Sequence, residues 1–101
     1  MRQITDKISK AFKDRINKKI SNSTTDGKCL WLFGNMIAMY DRDGNVSITT
    51  ANHATKTTKD RLNGILDVFG DKRRIYHKAG QLYLGDQEWD GDWVAIGNKP
   101  D

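Results

Sequence analysis

The first apolar residues of the chain fall at a four-residue interval, Ile4, Ile8, Phe12, Ile16 and Ile20, with Ala11 beside them. That interval predicts an amphipathic helix over residues 1–20. Four residues turn a helix by about 400°, so the stripe drifts by about 40° per step into a broad band that can pack on a sheet or on another chain. Residues 21–27, Ser-Asn-Ser-Thr-Thr-Asp-Gly, hold no apolar position and predict a loop that ends the helix and links it to the rest. Two apolar runs, Cys29 to Phe33 and Met36 to Tyr40, then flank Gly34-Asn35, the pattern of a tight hairpin. Asp41 to Asn45 reads as another turn, and Val46 to Thr50 alternates with period two, completing a three-stranded meander.

Further on, Leu62, Ile65, Leu66 and Phe69 occupy i, i+3, i+4 and i+7 of a second helix. Thr57 and Asp60 have the spacing of a capping box, and Gly70 stands where a left-handed C-cap would close the helix. Ile75 to Lys78 and Gln81 to Leu84 flank Ala79-Gly80 as a hairpin, and Trp93 to Ile96 predicts a last strand. The fold class is therefore α+β: an N-terminal amphipathic helix, an antiparallel meander, one helix packed on the sheet, and a further C-terminal hairpin and strand. A single small domain spans residues 28–97, with Leu30, Leu32, Ile37, Val46, Ile48, Leu62, Ile65, Leu66, Phe69, Leu82 and Ile96 as its core.

The segment Thr55-Lys56-Thr57-Thr58-Lys59-Asp60-Arg61-Leu62-Asn63 follows a hairpin strand and enters an apolar helix. It resembles the Thr-x-Thr-Thr-Lys-x-Arg-Leu-Asn helix start of a small uncharacterised bacteriophage protein family, with the likeness running over about residues 29–85 and including Leu82-Tyr83. This chain departs from that pattern at Ala51-Asn52-His53-Ala54, where the family more often has paired glycines and an aromatic. The resemblance implies a phage protein made during infection and acting inside a bacterial cell; it implies no particular activity.

Composition narrows the range. A chain of 101 residues, 37% hydrophobic and 30% charged, holds one domain and leaves no room for a second, regulatory one. Its formal charge of +4 suggests an anionic partner until the distribution is considered. Residues 1–20 carry seven Lys and Arg against two Asp, and the segment 56–78 carries seven against three. From Asp86 onward five acids face one Lys. Charge is segregated along the chain, which favours a protein partner over a nucleic acid. The single Cys excludes an intramolecular disulfide, and no apolar stretch reaches the roughly 20 residues of a membrane span or forms a signal-peptide core. The expectation is a soluble protein of the host bacterial cytoplasm with no membrane partner.

Candidate chemistry is sparse. A thiol nucleophile needs a base and a partly exposed, electropositive setting. Cys29 opens an apolar strand instead, and His53 and His77 lie far apart in sequence. No zinc spacing and no phosphate-cradling glycine pattern is present. The stretch Asp86-Gln87-Glu88-Trp89-Asp90-Gly91-Asp92 puts acids at positions 1, 3, 5 and 7 of a calcium loop, but Gly97 stands at position 12 where a bidentate Glu belongs. It reads as a solvated acidic loop, so the expectation is no enzyme, no metal and no cofactor.

What remains is binding. The first reading is a non-enzymatic phage effector that binds and inhibits a host protein or ribonucleoprotein, in host takeover or anti-defence, as an anti-CRISPR-like inhibitor does. The alternative is a small accessory protein that binds DNA or RNA. The candidate contacts are Lys10, Lys13 and Lys18 on the basic helix, Lys59, Arg61, Arg73 and Arg74 around the second helix, and Trp89 and Trp93, which either pack inward or meet a partner. The oligomeric state, and whether the first helix packs on its own domain or on another chain, stay open at this point.

Overall fold

The computed structural model describes residues 2–96. Met1, the side chains of Arg2 and Gln3, and residues 97–101, among them parts of the expected helix, domain and calcium loop, lie outside the described residues.

The first helix, α1 (Arg2–Lys13), ends seven residues earlier than the pattern predicts. Ile8 and Phe12 of the stripe are fully buried, whereas Ile16 is 51% exposed. Arg15 takes a positive φ of 59°, and the Ile16 N–H donates back to the Ala11 carbonyl at 2.9 Å, the closing bond of a Schellman turn. Tyr40 reinforces that stop: its hydroxyl reaches the Phe12 and Lys13 carbonyls at 3.2 and 3.0 Å, and the Arg15 guanidinium lies 3.7 Å above its ring.

The chain then reverses into strands β1 (Asn17–Ile20) and β2 (Ser23–Asp26), where the sequence pattern predicts helix and linker. β2 escapes the hydrophobic pattern because its inward residues, Ser23 and Thr25, are buried yet polar. Thr25 Oγ1 donates to the Cys29 carbonyl at 2.8 Å, and Ser23 Oγ accepts from Arg61. β3 (Cys29–Leu32), β4 (Asn35–Tyr40) and β5 (Val46–Ile48) form the predicted meander, and β9 (Val94–Ile96) returns to pair with β5. The result is a six-stranded antiparallel sheet in the order β1-β2-β3-β4-β5-β9. The register shifts between Leu30 and Trp31 and leaves Ile37 of β4 as the extra residue of a bulge, so Ile37 and Ala38 are both buried.

The second helix, α2 (Lys56–Val68), is capped by Thr55 rather than Thr57: Thr55 Oγ1 accepts from the Thr58 N–H at 3.2 Å. Its exit follows the prediction. Gly70 has φ 75°, and the Asp71 N–H donates to the Leu66 carbonyl at 2.9 Å. A small sheet, β6 (Ile75–Lys78), β7 (Gln81–Leu84) and β8 (Gln87–Glu88), follows with Ala79-Gly80 as its turn. One continuous core joins Ile8 and Phe12 of α1 to Leu30, Ile48, Leu62, Leu66, Ile75, Leu84, Trp89 and Ile96. The N-terminal helix thus belongs to this domain, and all the predicted core residues are buried except Phe69, which is partly so. No described helix is long and apolar enough to cross a membrane.

Candidate protein-binding site

The Thr55–Asn63 segment is the natural first place to look, and its side chains turn out to hold the fold together. Thr55 caps α2, Leu62 is fully buried, and Asn63 mimics a strand neighbour by bonding both ways to the Ile75 backbone, at 3.1 Å to its carbonyl and 2.8 Å from its N–H. Arg61, expected to meet a partner, is 6% exposed. Its Nε donates to Ser23 Oγ at 2.9 Å and its Nη1 to Thr5 Oγ1 at 2.7 Å and Asp60 Oδ2 at 3.1 Å, tying α2 to α1 and β2. Thr5 Oγ1 in turn bonds the Asp60 carboxylate. A guanidinium held this way is a structural link and is corrected out of the binding set.

Four of the other basic candidates have partners within the chain. Lys10 pairs with Asp14 at 3.3 Å, Lys59 Nζ lies 2.7 Å from His77 Nδ1, and Arg74 pairs with Asp67 at 2.5 Å. Arg73 embraces both Asp71 oxygens at 3.0 and 2.7 Å, and that bond raises its pKa above the ordinary guanidinium value. Lys13 and Lys18 are exposed on α1 and the edge strand β1. Lys10 and Lys18 line one hollow of about 330 Å³ beside Ile16, and Arg73 and Arg74 line another of about 650 Å³ with Lys72 and Tyr76. Trp89 folds inward, 8% exposed, with its Nε1 donating to the Asp92 carbonyl at 3.0 Å, whereas Trp93 stays 44% exposed.

Of the large exposed apolar groups, Phe33 lies in the β3–β4 turn and Trp93 beside Met36, whereas Ile16 precedes β1 and Tyr76 lies on β6 of the small sheet. The β3–β4 turn is Phe33-Gly34, one residue earlier than predicted, with φ values of 54° and 82°. Two successive left-handed residues make a primed hairpin turn, and a bulky aromatic in that region is a conformational outlier. Phe33 is 67% exposed, and its N–H donates to the Asn22 carbonyl at 2.9 Å, which fastens the tip. Beside it opens a cavity of about 210 Å³, with Leu32 and Ile37 as apolar walls and Thr50, His53, Thr55 and Thr58 around them.

The loop that rims this cavity is strained as well. Ala51 and Asn52 have φ values of 55° and 66°, the left-handed conformations that paired glycines adopt without cost. Thr49 Oγ1 and the Thr50 N–H both donate to the Gly91 carbonyl, at 2.6 and 2.9 Å, and hold the loop against the acidic stretch. A second hollow of about 500 Å³ lies between that stretch and Met36, walled by Trp93. Strained residues held in place by surrounding bonds cluster where proteins bind. Sequence reasoning passed over Phe33 because it extended an apolar strand; an aromatic directly before a turn Gly was the available signal.

The catalytic candidates do not converge here. Cys29 sits at the far end of β3 from the tip and is buried, and burial pushes its thiol pKa up, with the Asp26 charge adding to the shift. Among the described residues no three His, Cys, Asp or Glu side chains are placed to hold a metal ion. The acidic loop spends its carboxylates on its own backbone: Asp90 accepts from the Asp92 N–H at 3.0 Å and Asp92 from the Trp93 N–H at 2.8 Å.

Comparison with known proteins decides the origin. The family described as Kyanoviridae Gp96 protein matches residues 1–98. The chain belongs to this phage protein family. The match begins with α1 and runs past β9, so the family unit is the whole α+β domain described above, with the basic helix inside it. No curated protein and no solved structure matches the chain.

Proposed function

We propose that this Gp96-family protein is a non-enzymatic phage effector that binds a host protein in the bacterial cytoplasm and blocks its use by occlusion. The observation that carries the reading is Phe33, a 67% exposed aromatic fixed at a strained turn beside an apolar cavity. An exposed aromatic with a pocket next to it is the arrangement of an interface anchor, since aromatics are enriched at interfaces and contact energy concentrates in a few such residues. The cavity is of a size to take one apolar side chain from the partner. The pairing of Lys10, Arg73 and Arg74 with carboxylates of their own chain supports a protein over a nucleic acid, because phosphate binding draws on cations whose charge is not already neutralised.

The test is affinity capture from nuclease-treated host lysate with the natural chain and with Phe33→Ser. The reading requires a specific host protein that survives nuclease and is lost with Phe33→Ser. Recovery that nuclease abolishes would point instead to DNA or RNA.

A further inference from the structure

The six-stranded sheet ends on β1, which pairs with β2 and is open along its other side. The bond from the Phe33 N–H to the Asn22 carbonyl sets the phase of the ladder, because Asn22 and Phe33 continue the β2–β3 register. Bonded and non-bonded pairs alternate in an antiparallel ladder. Thr24 therefore bonds toward β3, and Ser23 and Thr25 bond toward Ile20 and Lys18 of β1. The backbone N–H and C=O groups of Asn17 and Lys19 are left pointing out of the sheet edge, where no other described strand pairs with them.

The hollow of about 330 Å³ beside Ile16 adjoins this edge. Lys18 and Ile20 share the inner face of the sheet with their buried register partners Thr25 and Ser23. Lys18 frames the hollow together with Lys7, Lys10, Ala11 and Asp14 of α1. Thr5 and Ser9, on the opposite flank of α1, meet Gly64 of α2, so the hollow lies on the side of α1 away from the second helix. Ala11 and the 51% exposed Ile16 are its apolar groups.

We propose that β1 takes an acidic, extended segment of a protein partner as an added strand. Asn17 and Lys19 supply the backbone bonds. Side chains of such a strand alternate between the two faces of the sheet. On the inner face an apolar one enters the hollow against Ile16 and Ala11, and on the other face an acidic one lies beside Lys19. Charge decides the occupant: among the described residues Lys7, Lys18 and Lys19 meet no carboxylate, and Lys10 shares one surface pair with Asp14 at 3.3 Å. Lysines on an edge strand repel the same strand of a second copy and attract an acidic one. The edge is separate from Phe33 and its cavity, and the inference does not rest on them.

The probe is the hexapeptide acetyl-Glu-Val-Glu-Val-Glu-Val-amide, titrated into the full chain to about 1 mM with amide exchange and chemical shifts as the readout. Binding should slow exchange at the Asn17 and Lys19 amides. Lys18→Glu should weaken it about tenfold at low salt, and Ile16→Ser should weaken it as well; both side chains are exposed, so the thermal melt should not move. Lys19→Pro deletes an outward N–H and no ladder bond, and it should abolish binding in a folded chain. No binding of the probe overturns the proposal, as does equal binding of the Lys-Val counterpart. So does binding that Lys18→Glu and Ile16→Ser both spare, or that Phe33→Ser removes. A single-stranded DNA oligonucleotide that protects the same two amides equally well would overturn it in favour of nucleic acid.

Discussion

Gly64 of α2 lies so close to Ser9 of α1 that a Cβ at position 64 would stand 2.6 Å from the Ser9 hydroxyl, and the same Cβ would run into Thr5 Cγ2. The two helices approach to backbone distance, and α1 is part of the core because of it. Alanine normally gains about 1 kcal/mol over glycine inside a helix. Here overpacking costs about 1 to 3 kcal/mol and outweighs that gain. Gly64→Ala should therefore lower the urea midpoint, and Thr5→Ser with Ser9→Ala should restore much of the loss. An alanine that stabilises the natural background would show that the helices do not cross this closely.

Ser9 carries the one buried side-chain oxygen among the described residues that has no hydrogen-bond partner. Deleting an unpaired buried hydroxyl removes a desolvation penalty of about 1 kcal/mol. Ser9→Ala alone is expected to raise the melting temperature by a few degrees in a domain of this size.

Removing the Arg61 side chain leaves Thr5, Ser23 and Asp60 without their shared donor. Arg61→Ala should cost about 3 kcal/mol in chemical denaturation, and Arg61→Lys should recover only part of it because an ammonium cannot span the same three acceptors. If Arg61→Ala leaves stability unchanged, the side chain is not the link described and its place among surface contacts would have to be reopened.

Two groups in the fold are kept neutral by burial. Desolvation raises the pKa of Cys29 and of Tyr40 above their ordinary values of 9.0 and 10.0. The unfolded chain therefore releases these protons at lower pH than the folded one. Neither group changes stability below about pH 8, and stability declines as pH rises through 9 and beyond. Denaturation from pH 7 to 10.5 should show that decline, reduced at its onset in Cys29→Val. Thiol labelling at pH 8 should be slow in the native chain and rapid in urea.

Much of this architecture could be read from the chain. The α2 stripe, its Gly70 stop, the β3–β4–β5 meander and the β6–β7 hairpin follow from local rules that tertiary contacts did not override. The failures share a cause: their partners lie far away in sequence. Ile16 extends the α1 stripe numerically, but the chain reverses at Arg15, where Tyr40 caps the helix end from 25 residues downstream. β2 reads as a loop because Ser23 and Thr25 face a buried guanidinium and a carbonyl rather than an apolar core. Arg61 looked like a surface cation for the converse reason. A phage family was expected from the sequence, and within the helix start that suggested it Thr55, Arg61 and Asn63 serve as cap and cross-links, whereas the Phe33 tip depends on a turn conformation that composition does not announce.

The central claim is that Phe33 meets a host protein, and site-specific photocrosslinking tests it at that residue. With benzoylphenylalanine in place of Phe33, irradiation in host lysate should give a discrete adduct that resists nuclease and is absent when the same group replaces Tyr76. No adduct at position 33, or adducts at both positions that nuclease removes, would contradict the account.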